Sequence, residues 1–134
     1  MKRLFVMCVL LLGAAVAASQ TGAADKAQEA LKRASRDYLK HGLILATENR
    51  HEAAVKSFQQ AIHLDPGSAE AYSLLGSALA KTGKYREAEK ALRKAVELDP
   101  NYGEGYYYLG LFLKEQGRTQ EAEEAFRKAR QCSR

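Results

Sequence analysis

The apolar positions of this chain step by three and four. From Ala69 to Thr82, Tyr72, Leu75 and Leu79 share one stripe, and from Tyr85 onward Ala88, Leu92, Ala95 and Val96 share another. That is the period of an α-helix with one buried face. Gly83 stops the first segment, and Asp99-Pro100 ends the second, because a proline disfavours helical geometry in the residue before it. The unit then recurs. Pro66 and Pro100, Tyr72 and Tyr106, Leu75 and Leu109, Gly76 and Gly110, Leu79 and Leu113, and Gly83 and Gly117 are each 34 residues apart. Ala54, Ala88 and Ala122, then Phe58, Leu92 and Phe126, then Ala61, Ala95 and Ala129 carry the register into three copies: residues 35–68, 69–102 and 103–134. Two antiparallel helices of about 14 residues cannot bury their stripes alone, so neighbouring pairs must stack. The predicted fold class is all-α, a solenoid of three helix-turn-helix units.

The small residues fit that picture. Gly76 with Ala88, and Gly110 with Ala122, are expected to let two helix backbones approach closely. The first copy departs from the others, with His41 at the leucine slot and Asn49-Arg50 where they have glycine. His41 reads as a core packing residue, and His41, His51 and His63 lack metal-ligand spacing, so no metal is expected. The third copy has no closing proline. It carries Arg130 and Cys132 where the earlier ones have Ile62 and Leu64, then Val96 and Leu98, so the stacking seam turns polar as in a terminal capping repeat. Ahead of the first copy, Asp25 with Gln28 resembles a capping box. The stripe Ala27, Leu31 and Ala34 predicts a helical lead-in over residues 25–34 that covers the first unit.

The N-terminus has a different character. Lys2 and Arg3 precede an uncharged, mostly apolar stretch from Leu4 to Ala18, with Val16 and Ala18 in an A-x-A-like arrangement. This reads as a secretory signal peptide over residues 1–18, followed by a linker and lead-in over 19–34. The alternative is an uncleaved membrane anchor. Both place the repeats outside the cytoplasm, periplasmic or secreted, because Lys2 and Arg3 stay on the inner side. Cys8 leaves with the signal, so Cys132 remains alone and no internal disulfide forms. The whole chain carries 21 basic against 16 acidic residues, a net charge of +5; loss of Lys2 and Arg3 leaves 19 against 16, or +3. These charges are interspersed, as in KYREAEKALRK from Lys84 to Lys94, which excludes a nucleic-acid stripe.

Catalytic chemistry has no foothold. GSALAKTGKY from Gly76 to Tyr85 has the wrong glycine spacing for a phosphate loop and Tyr85 where Ser or Thr is needed. GEGYYYLG lacks the dinucleotide-binding spacing, and the carboxylate pair Glu123-Glu124 sits on a charged helix face. No nucleophile, base or metal constellation is present, so neither an enzyme, a cofactor nor a small-molecule substrate is expected.

The 34-residue unit with Tyr72, Leu75-Gly76, Leu79, Ala88, Leu92, Ala95 and Pro100 in these slots resembles the tetratricopeptide repeat. That resemblance implies a right-handed solenoid that binds a protein or peptide partner in a concave groove lined by the first helices. Each first helix carries a second face besides its packing stripe: Arg36, Leu39, Leu43 and Ala46 in the first copy, Ser73, Ser77 and Ala80 in the second, and Tyr107, Leu111 and Lys114 in the third. Arg36, Leu39, Leu43, Ser73, Ser77, Tyr107, Leu111 and Lys114 are therefore the candidate partner-binding residues. The expected role is an adaptor or assembly factor; the alternatives are a self-associating structural unit, or an accessory subunit of an envelope enzyme or secretion complex. Chaperone-binding members hold a C-terminal carboxylate with a cationic clamp on this face. Here those positions are Leu39, Leu43, Leu74, Glu104 and Tyr108, and Glu70 and Glu104 would repel a carboxylate.

Overall fold

A computed structural model describes the backbone over residues 2–132 and the side chains over residues 20–132. The expected signal peptide, with Cys8, lies outside the described side chains. Six α-helices follow one another among the described residues: α1 (Lys2–Thr47), α2 (His51–Leu64), α3 (Ala69–Lys81), α4 (Tyr85–Leu98), α5 (Gly103–Glu115) and α6 (Thr119–Cys132). The chain divides into two compact units, Met1–Arg33 and Ala34–Arg134. The first is helical, carried by α1, with Ala27 and Leu31 exposed. The capping box does not form, because α1 runs unbroken through Asp25, which therefore starts no helix. Gly22, shortly before Asp25, is in open space, and an isolated glycine weakens a helix without stopping it. Among the described residues no helix is long and apolar enough to cross a membrane.

In the second unit the three copies repeat one hairpin. Each first helix ends in the same turn, which reverses the chain through a left-handed residue: Asn49 (φ 58°), Gly83 (φ 80°) and Gly117 (φ 76°). The amide after each turn residue donates back to the first helix: Arg50 to Leu45 O (2.9 Å), Lys84 to Leu79 O (3.0 Å) and Arg118 to Leu113 O (2.9 Å). The turn residues' own amides donate to Ala46, Ala80 and Lys114 oxygens at 3.1, 3.1 and 3.0 Å. This is the Schellman pattern, which satisfies carbonyls the helix leaves open. Asn49 replaces glycine without changing the turn because asparagine tolerates this conformation better than other side-chain-bearing residues.

Across each hairpin a glycine faces a large side chain. A Cβ built on Gly42 would lie 2.4 Å from Phe58, on Gly76 2.5 Å from Leu92, and on Gly110 2.6 Å from Phe126. The expected close approach at Gly76 is therefore set mainly by Leu92, with the Ala88 carbonyl oxygen 3.0 Å away. Ala54, Ala88 and Ala122 are all buried, as a close approach requires. Phe58, Leu92 and Leu113 are the largest fully buried apolar side chains, each contributing about 1.5–3 kcal/mol of burial. The first hairpin has two extra ties. Ser35 Oγ donates to Ala61 O at 2.8 Å and Ser57 Oγ to Tyr38 O at 2.8 Å.

Between copies, α3 packs on α2 and α5 on α4, and the first helices α3 and α5 also pack on each other. The second helices α4 and α6 are joined instead by charge. Arg118 Nη1 donates to both oxygens of Glu89 (2.9 Å each), while its Nε and Nη2 grip Glu121 (2.8 Å each). Arg93 closes the ring from Glu89 (2.9 Å) to Glu121 (3.4 Å). Partial burial pushes the Glu89 carboxyl up, but hydrogen bonds from Arg93 and Arg118 outweigh it and hold Glu89 below its ordinary value. Glu121 is likewise held low, chiefly by Arg118.

His41 does not pack as its slot suggested: it is exposed, whereas its counterparts Leu75 and Leu109 are buried. Those leucines sit on first helices that pack against a preceding second helix, and within Ala34–Arg134 no second helix precedes α1. At the other end the seam is polar only in part. Arg130 is exposed, but Tyr107 lies against Phe126 (ring centroids 5.8 Å apart) and keeps an aromatic surface there.

Candidate functional site

Helical stepping placed eight residues on one face, and the fold divides them by burial. Arg36, Leu43, Tyr107 and Lys114 are exposed, with Leu43 and Tyr107 at 41% and 50%. Ser77 and Leu111 are half-buried. Leu39 and Ser73 are not available to a partner. Leu39 is 4% exposed and belongs to the core. Ser73 is fully buried, and its hydroxyl is spent on the Ala69 and Glu70 carbonyls of its own helix (3.0 and 3.2 Å). Both stand at the fifth position of their copies, where first helices pack side by side. Tyr107 holds the same position on the last first helix and stays open, because no further one packs beyond α5 among the described residues.

The fold also gathers residues that helical stepping missed. Tyr102 lies in the connection between the second and third copies, just before α5. Its ring folds over Gly105, where a Cβ would sit 2.8 Å from it, and its hydroxyl donates to Glu104 Oε2 at 3.1 Å. Tyr108 meets Tyr107 edge-on at 6.2 Å. Burial pushes the Tyr102 phenol well up; the Ser73 hydroxyl opposes that rise, and Glu104 and Glu70 add to it. Tyr108 is raised by burial, then by Glu104, Tyr107 and Glu70. Glu70, Glu104, Tyr102 and Tyr108 thus form one corner with Tyr107, assembled from the starts of α3 and α5 and the connection between copies. A cleft of about 350 Å³ opens beside it, lined by Glu104, Tyr107, Phe126, Ala129 and Arg130. The resemblance had already put Glu70, Glu104 and Tyr108 on this face, and helical stepping Tyr107; nothing in the sequence pointed to Tyr102.

Another cleft, about 700 Å³, lies elsewhere. Gln59 of α2 and Ala91 and Lys94 of α4 form its walls, with Tyr72, Leu75 and Leu79 of α3 lining it. Among the described residues no three His, Cys, Asp or Glu side chains converge as metal ligands do.

The family model described as tetratricopeptide repeat matches residues 39–102 and, overlapping them, 74–134. No curated protein matches the chain. Solved structures resemble it closely. The second repeat domain of Spaghetti (RPAP3), bound to the HSP90 peptide SRMEEVD, is 26% identical with a TM-score of 0.69, covering 78% of this chain and 95% of that one. The TPR2B domain of yeast Sti1 in complex with an Hsp70 peptide is 27% identical with a TM-score of 0.69, covering 75% and 80%. MamA is 26% identical with a TM-score of 0.65, covering 86% and 71%.

Proposed function

The chain belongs to the tetratricopeptide repeat family, and from that premise we propose that it is an exported, non-catalytic adaptor that binds a segment of another polypeptide along its first helices. The observation that carries this reading is the apolar surface left open on the first helices: Leu43 and Tyr107 are 41% and 50% exposed. Contiguous exposed apolar surface marks interaction sites. Two similar domains were solved with peptides bound, one from HSP90 and one from Hsp70. Export rests on the N-terminal sequence alone, and it places the adaptor in the cell envelope or outside the cell.

The test is a pull-down from the native host's envelope fraction with the mature chain, Leu43→Lys and Tyr107→Ala side by side, then titration of the purified partner. Loss of binding in the folded variants supports the groove. Equal affinity for all three refutes it. A second reading is favoured by Tyr38 and Ile44, which leave 41% and 56% of their surface exposed on α1: they would serve self-association. Sedimentation at micromolar concentration decides, since a monomer removes that reading.

A further inference from the structure

Resting on the groove reading, we infer that its partner segment is basic, and that a lysine or arginine of that segment docks between Glu70 and Glu104 against the tyrosines of α5. Glu48, Glu89, Glu97, Glu121 and Glu124 each pair with an arginine or lysine, whereas exposed carboxylates such as Glu52 and Glu123 stand in solvent. Among the described residues Glu70 has no ion pair, and Glu104 receives only the Tyr102 hydroxyl, at 3.1 Å. Two uncompensated carboxylates on an otherwise basic chain make the corner a local negative patch. Both act on the Tyr102 and Tyr108 phenols. Arg130 lines the adjoining cleft with Glu104, and no ion pair between them is formed among the described residues.

The aromatic side of the corner selects the same ligand. Tyr107 is half exposed and braced by Tyr108 and Phe126, a rigid ring on which an ammonium or guanidinium group is attracted by the π-face. A lysine or arginine can lay its aliphatic stem on such a ring and carry its charge to the carboxylates. A carboxylate-ended peptide meets repulsion at the same place.

The probe is a phage-displayed random dodecapeptide library, panned on the mature chain and on the Glu70→Gln/Glu104→Gln variant, whose fold is checked by circular dichroism. The net positive charge of the chain favours acidic peptides through non-specific attraction, so enrichment of basic ones reports the corner. Expected is enrichment of Lys or Arg at one fixed position beside apolar positions. It disappears in the double variant, where a selected peptide binds about tenfold more weakly. Enriched peptides with acidic or no charge preference overturn the inference and leave the groove reading standing. A Lys or Arg preference that survives in the double variant also overturns it. If no peptide is enriched at all, the groove reading fails and the inference falls with it.

Discussion

Gly76→Ala should destabilise the protein even though alanine is the better helix former. The new methyl carbon would lie 2.5 Å from Leu92 Cγ, 2.9 Å from Leu92 Cδ2 and 3.0 Å from the Ala88 carbonyl oxygen. Leu92 is 1% exposed, and the Ala88 oxygen belongs to helix α4, so neither has free space to enter. Overpacking of this kind costs about 1–3 kcal/mol, while replacing a mid-helix glycine by alanine returns about 1 kcal/mol. The net loss is about 0–2 kcal/mol, towards the upper end here because neither Leu92 nor the Ala88 carbonyl has room to move. Leu92→Ala alone removes the obstructing side chain and leaves a cavity costing about 2–5 kcal/mol. In Gly76→Ala/Leu92→Ala the methyl enters that cavity, so the double variant should lose less than the two single losses combined. The difference is at least about 1 kcal/mol, above the scatter of independent sites. Urea unfolding of all four proteins, followed by circular dichroism, closes the cycle. A Gly76→Ala protein more stable than the parent, or single losses that simply add, would refute the claim that contact with Leu92 keeps glycine at this position.

Leu39→Lys and Leu43→Lys should separate core from surface. The first buries a charge and should melt the first hairpin, with loss of amide exchange protection in α2; the second should leave unfolding within about 0.5 kcal/mol of the parent. Asn49→Ala should cost about 1–2 kcal/mol from the left-handed turn, while Asn49→Gly matches or exceeds the parent in thermal denaturation. The Glu89–Arg118–Glu121 ring predicts an acid dependence. Both carboxyls are lower folded than their ordinary 4.5, so the unfolded chain takes up protons first. The stabilisation is complete above that value and is lost as pH falls through it and then through the folded values. Arg118→Met should therefore lower the melting temperature at pH 7 and lower it less as pH falls below 4.5; an equal deficit at pH 7 and in acid would remove the ring as its cause.

The architecture was legible in the sequence because periodicity and turn chemistry are local. The 34-residue spacing, the 3.6-residue stripes and the glycines at the turns declare themselves wherever the chain happens to lie in space. Even the departure at Asn49 was visible, though only its φ showed that it keeps the turn that Gly83 and Gly117 make. Tertiary structure decided what a stripe meets. Leu39 and Tyr107 occupy equivalent positions on their helices, yet one is buried and the other open, because burial depends on which helix stacks alongside. His41 was misplaced for the same reason. The capping box at Asp25 failed because a local motif starts a helix only where the chain is not already helical. The corner was legible in part: Glu70, Glu104, Tyr107 and Tyr108 stood on the expected face, but Tyr102 lies in a connection between copies, and only stacking brings it to them.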